Sequence, residues 1–187
     1  MKSLDSFIVK PYNERRYDNI QKLKNTDFIT SVSEEDHKSS NRLATVVSVP
    51  VNYKGEVCPG DTLIVHHNVF KFYNDMKGRR KSGKSFFKEN LFFVEYDQFF
   101  LYKKNNKWKS HSKYCFIKPI LVEKSMIVKN TKYEPLVGIL KYGNKELEYL
   151  GVEEGDKVIF TPESEYEFNI DNELLYRMFT NNITTVL

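Results

Sequence analysis

Apolar residues along this chain come in short runs of three to six, separated by polar and turn-forming residues. Such runs include Phe7-Ile8-Val9, Ala44 to Val49, Thr62-Leu63-Ile64-Val65, Leu91-Phe92-Phe93-Val94 and Phe99 to Tyr102. They continue with Phe116-Ile117, Leu136 to Leu140, Lys157-Val158-Ile159-Phe160 and Glu165 to Phe168. Several alternate between apolar and polar positions, the period-two pattern of a strand with one buried face. Turn residues punctuate them at Pro59-Gly60-Asp61, Lys77-Gly78, Tyr142-Gly143-Asn144, Glu154-Gly155-Asp156 and Asp171-Asn172. Many short strands at regular spacing predict an all-β chain of barrels or sandwiches. No long stretch has helical periodicity; Tyr17 to Leu23 reads as a helical turn or two.

The pattern repeats. Phe7-Ile8-Val9-Lys10-Pro11 recurs as Cys115-Phe116-Ile117-Lys118-Pro119. The stretch from Gly55 through Gly60-Asp61 to Val65 recurs from Gly151 through Gly155-Asp156 to Phe160. In both halves a Gly-Asp step leads into an apolar strand, then a polar hairpin, then a closing pair of strands. Two tandem copies of one small β-barrel are therefore expected, at 1–105 and 112–187, with 106–111 as a polar linker. The first copy carries a long segment at 13–42 and a basic hairpin at 71–88. Closure into a barrel would remove exposed edges.

Composition agrees with folded β-structure. Hydrophobic residues make up 40% of the chain, and 14 Phe and 12 Tyr favour strands. No stretch reaches the roughly 18 apolar residues of a membrane-spanning helix. Met1 to Asp5 has no apolar run after Lys2, so no signal peptide is expected. Cys58 and Cys115 form no CxxC and are expected as packed, reduced thiols of a cytoplasmic protein. Residues 1–110 hold 20 Lys/Arg against 13 Asp/Glu, and residues 111–187 hold 9 against 12. The basic excess is local: residues 71–88 contain seven Lys/Arg and only Asp75 as an acid. Abundant Lys, Asn, Phe and Tyr fit an A·T-rich genome such as that of a phage.

The second half carries Gly155-Asp156, the strand Val158-Ile159-Phe160, a charged hairpin, Ile170-Asp171-Asn172-Glu173, Leu174-Leu175-Tyr176 and Ile183-Thr184-Thr185-Val186. This order resembles the closing half of a subunit of the GroES family of co-chaperonins. Phe116-Ile117-Lys118-Pro119 resembles that family's first strand, and Gly138 to Gly143 resembles its Gly-x-Val-x-x-Val-Gly strand. The resemblance covers nearly all of 114–187 and covers 6–104 more loosely. It implies a homo-oligomeric ring that caps a chaperonin ring, with no cofactor of its own and no enzymatic activity. In the family, a loop after the first strand carries an apolar tripeptide that docks on the chaperonin. The matching segment of the second copy contains Met126-Ile127-Val128, and that of the first contains Phe28-Ile29. Neither has the Gly-Gly that precedes the family's tripeptide. From the residues alone, Met126-Ile127-Val128 reads as such a hook or as a core strand, and Phe28 could pack back onto the barrel.

Other constellations carry less. Gly78 to Ser85 formally matches a phosphate-binding loop, but an aromatic strand-like run follows it instead of a helix. Lys77, Arg79, Arg80, Lys81 and Lys84 read as a solvated hairpin tip, or as a basic patch for nucleic acid or an acidic protein surface. A β-barrel binding or structural module using that hairpin is the alternative to a co-chaperonin. His66-His67, if on a strand, would face opposite ways, which argues against a shared metal ion. Glu34-Glu35 and Glu153-Glu154 read as solvated turns, and Trp108 as packed against a lobe.

Overall fold

The computed structural model describes residues 2–17, 20–23, 26–29, 40–122 and 133–187, with 20–23 and 26–29 described as backbone. The chain divides into two compact units, Met1–Lys107 and Trp108–Leu187. Among the described residues it is mostly β, with one short helix and two single 3₁₀ turns. No helix among the described residues is long and apolar enough to cross a membrane.

The first unit opens with β1 (Phe7–Pro11), followed by β2 (Ile20–Leu23), β3 (Thr26–Ile29), β4 (Leu43–Ser48) and β5 (Thr62–Val65). Next come β6 (Phe72–Asn74), β7 (Arg80–Ser82), β8 (Phe86–Lys88), β9 (Leu91–Val94) and β10 (Phe99–Lys104), and then β11 (Lys107–Ser110), whose residues fall on both sides of the boundary between the units. The large sheet runs β11-β10-β5-β4-β1-β9-β8, while β2-β3 and β6-β7 are separate hairpins. The second unit comprises β12 (Tyr114–Leu121), β13 (Tyr133–Tyr142), α1 (Lys145–Tyr149), β14 (Lys157–Phe160), β15 (Tyr166–Ile170), β16 (Glu173–Phe179) and β17 (Ile183–Val186). Its sheet runs β15-β16-β12-β13-β14-β17.

Read in the same direction, β10-β5-β4-β1-β9-β8 and β17-β14-β13-β12-β16-β15 are one topology used twice. The register agrees as well. Ile8 pairs with Ser48 and Val9 with Val46 across a bulge; Phe116 pairs with Tyr142 and Ile117 with Leu140 across the matching bulge. Pro11 faces Ala44 as Pro119 faces Gly138. The residue after each third strand, His66 or Thr161, donates its amide to Gln98 or Asn182 just before the last strand. The repeated Gly-Asp step is duplicated atom for atom. Gly60 and Gly155 hold φ of 96° and 104°, a conformation that favours glycine. The carboxylates of Asp61 and Asp156 each accept the amide three residues upstream, Cys58 or Glu153, at 2.8 Å.

Each sheet buries an aromatic and aliphatic face over its own core. Phe7, Phe70, Phe92 and Phe99 dominate the first, with Phe7 and Phe99 edge-to-face at 5.1 Å. Cys115, Ile117, Leu140, Leu147 and Val158 lie in the second. Burial of this apolar area is the main stabilising term.

Three expectations change. Both strand orders are linear, so the sheets are open where closed barrels were expected. The three-residue end strand β8 has an irregular register between Phe86 and Lys88, which shortens the ladder it can offer. Ile20–Leu23, expected to be helical, is a strand, because Thr26–Ile29 supplies antiparallel partners from Ile20↔Ile29 to Leu23↔Thr26. The stretch taken as a linker contains β11, which neighbours β10. Asn105 and Asn106, at φ of 50° and 62°, make the two-residue hairpin turn that Asn tolerates.

Candidate functional site

In both units the segment between the first strand and its antiparallel neighbour leaves the sheet at one place. In the second unit it spans 122–132, and Leu121 pairs with Tyr133 at its base. In the first it spans 12–42, and Tyr17 bridges Ser40 near its base. Met126, Ile127 and Val128 lie outside the described residues. Phe28 and Ile29 lie on β3, opposite Gln21 and Ile20, with their side chains outside the description.

The base of the first segment is a dense clasp. The Asn41 amide donates to the Arg16 carbonyl at 3.0 Å. The Asn41 side chain donates to the carbonyls of Tyr12 and Arg15, and its oxygen accepts the Leu43 amide. Asn41 thereby joins both ends of the segment through one side chain. Arg16 lies among three rings, its guanidinium carbon 4.1 Å from the Phe72 centroid, 4.6 Å from Phe92 and 5.4 Å from Phe86. It also donates to the Ser82 hydroxyl at 3.2 Å and to the Glu89 carbonyl at 3.4 Å. Burial, aided by the nearby Arg80 charge, lowers its pKa from the ordinary arginine value. The Tyr17 ring stacks on Phe72, and its hydroxyl accepts the Phe72 amide at 3.0 Å. Arg16 and Tyr17 thus tie the β6–β7 hairpin to the clasp.

The hairpin tip is shaped by Asp75, whose carboxylate accepts the amides of Lys77 and Arg79, and by Gly78 at φ 71°. Alternation along the strands splits its basic residues between two faces. Arg80 lies over Phe72 at 3.8 Å, on the face held by Arg16. Tyr73 is 51% exposed and pairs directly with Lys81 on the other face. Asp75 pairs with Arg79 through the amide of the one and the carbonyl of the other. Lys77 is exposed at the tip, and Lys84, past the hairpin, lies 3.9 Å from Glu95. The structure therefore brings Arg79 and Lys81 together and sends Arg80 to the opposite face. The Gly78–Ser85 match occupies a turn and strand β7, and a further strand follows where a phosphate-binding loop needs a helix.

A scan against protein-family models and a search of curated proteins found no match to this chain.

Among the described residues, no group of three or more His, Cys, Asp or Glu side chains could hold a metal ion. His66 and His67 lie beyond the end of β5, and their rings come together at 4.2 Å between centroids. The expected opposite orientation does not apply because neither lies on a strand. Cys115 is buried, and burial pushes its thiol up to about 12; Cys58 is exposed, contrary to the expectation that both pack. Trp108 donates its indole N–H to Asp171 at 2.8 Å. Glu153 and Glu154 are exposed in a turn, while Glu34 and Glu35 lie outside the described residues.

Sequence reasoning does not find Arg16, Tyr17 and Asn41. Their partners lie up to 73 residues away, so no local spacing marks them.

Proposed function

We propose that this chain is a non-enzymatic, two-lobed co-chaperonin of GroES type that forms a homo-oligomeric ring and caps a chaperonin ring. One observation carries the reading. Both units place an apolar-bearing segment between the first strand and its antiparallel neighbour, in sheets with the same strand order and bulge. That is where the resembled family carries its docking loop. In this reading each lobe is a variant of that family's small barrel with an open strand order. Met126-Ile127-Val128 and Phe28-Ile29 are the apolar hooks. Any ordering of a hook on docking costs conformational entropy, so a single hook binds weakly by itself. Side-by-side association multiplies such contacts into avidity, while each contact stays weak enough to release. Nucleotide is bound by the partner ring, and the chain itself carries no cofactor. The setting is cytoplasmic, and a phage genome fits the composition.

The test is native mass spectrometry and pull-down of the full chain with a group I chaperonin, with and without ATP. Wild type is compared with a Met126→Ser/Ile127→Ser/Val128→Ser variant and a Phe28→Ser/Ile29→Ser variant. Nucleotide-dependent binding that either variant weakens supports the proposal. A chain that ignores the chaperonin in every nucleotide state sinks it.

A further inference from the structure

We infer that the outer face of the β6–β7 hairpin binds single-stranded nucleic acid, an activity separate from chaperonin capping. The hairpin has two unlike faces. On the inner face Phe72 packs onto the fold, where it stacks with Tyr17 and lies under both Arg16 and Arg80, while Asn74 and Arg80 remain exposed. Strand alternation places Tyr73 and Lys81 on the outer face, and Lys71 and Arg79 flank the strand ends, where their carbonyls accept the amides of Gly83 and Asp75. Tyr73 and Lys81 are directly opposed there, so a ring and a cation sit side by side.

The segment's one acid, Asp75, offsets one of the four positive charges of Lys71, Lys77, Arg79 and Lys81. Asp75 directs its carboxylate oxygen to the amides of Lys77 and Arg79, inside the tip. Lys77 and the exposed Met76 extend the basic and apolar surface beyond the strand ends.

An exposed aromatic in a row of cations suits a chain that presents phosphates and unstacked bases together. The cations pair with successive phosphates, and the Tyr73 ring offers a stacking platform that accepts any base. Duplex DNA hides its base faces and uses only the charges. An acidic protein surface likewise uses only the charges. The aromatic at the centre therefore favours single strands.

Arg16 supports the site without touching the ligand. Its place among Phe72, Phe86 and Phe92, with the Ser82 contact, fixes the inner face so that the outer face is presented in one orientation.

The experiment is fluorescence anisotropy of a labelled 20-nucleotide oligo(dT) with the full chain, from 50 to 200 mM salt. A duplex of the same length and a poly-glutamate peptide run alongside. With Lys71, Lys77, Arg79 and Lys81 engaged, log K falls with log salt at a slope of about −3, and Arg79→Gln/Lys81→Gln makes it shallower by about 1.4. Tyr73→Ser weakens oligo(dT) binding about tenfold and leaves the slope and the unfolding midpoint unchanged. Absence of oligo(dT) binding at 50 mM salt overturns the inference. So does binding that is indifferent to Tyr73 and equalled by poly-glutamate, which would assign the face to an acidic protein. Chaperonin capping is read in a different assay with different variants, so either result leaves the other standing.

Discussion

Gly155 donates its amide to the Leu140 carbonyl at 2.8 Å, and it does so at a φ of 104°. Gly60 repeats the bond to Val46 at 2.8 Å and φ 96°. A Cβ at either glycine would meet nothing within 4 Å, so any cost of adding one is a backbone cost. Gly60→Ala and Gly155→Ala are each expected to destabilise by about 1–2 kcal/mol. Gly138→Ala destabilises for a different reason. Its Cβ would sit 2.3 Å from Ile117 Cγ2 and 2.8 Å from the Lys118 carbonyl oxygen. Overpacking of that kind costs about 1–3 kcal/mol. Urea unfolding followed by Trp108 fluorescence measures Gly138→Ala and Gly155→Ala, because the chain's one tryptophan lies in the second unit.

Asn144 is buried and uses its whole side chain. Its oxygen accepts the amides of Glu146 and Leu147 at the start of α1. Its nitrogen donates to the Tyr114 carbonyl and the Thr180 hydroxyl, both at 2.9 Å. Asn144→Ala removes the cap and these four hydrogen bonds, at about 2–4 kcal/mol. Asn144→Asp keeps the cap but turns an acceptor toward the Tyr114 carbonyl. Asn144→Asp is expected to recover less than half of the loss at pH 7, as judged by the unfolding midpoint. Full recovery would show that the cap alone matters.

Glu173 receives Lys118 Nζ at 2.5 Å and Lys141 Nζ at 3.2 Å. The Lys118 hydrogen bond is the largest influence on its carboxyl and, with Lys141, holds it below the ordinary glutamate value against the opposing effect of burial. A depressed folded-state pKa contributes stability that is present above the unfolded value of about 4.3. That stability is lost as pH falls through the folded value. Both lysines are half-exposed, so each bridge contributes about 1 kcal/mol or less. Glu173→Gln should therefore lower stability modestly at pH 7 and flatten its decline below pH 4. A decline as steep as that of wild type would place the acid-sensitive group elsewhere.

The two thiols should separate cleanly by reactivity. Cys115 is buried with its pKa pushed up to about 12, chiefly by burial, so it carries almost no thiolate at pH 8. Cys58 is exposed and accessible. Ellman's reagent is expected to titrate one thiol per native chain and two in denaturant, and Cys58→Ser should abolish the native signal. Rapid modification of Cys115 in the native chain would contradict its placement in the core.

Much of the fold was legible because it is written locally. Period-two alternation, the Asp171-Asn172 turn and the two Gly-Asp steps each lie within a few residues, where backbone sterics and side-chain bonding act directly. The duplicated order of motifs was visible for the same reason. The candidate site was legible only as composition: a basic stretch at 71–88 and two apolar-bearing segments.

What the amino-acid order determined alone was therefore the all-β character, its turns and its internal repeat. The tertiary structure decided which strands are neighbours, where each ladder bulges and which face of the hairpin is free. Arg79, Arg80 and Lys81 are one basic run in sequence, and strand pairing with Phe72 to Asn74 sends Arg80 to the opposite face from the other two. His66 and His67 would diverge on a strand, but β5 ends at Val65 and their rings meet. Cys58 and Cys115 are chemically identical, and only the fold exposes one and buries the other. The physical reason is common to all three. Burial and pairing depend on residues tens of positions away, and their free energies appear only once the chain has closed those distances.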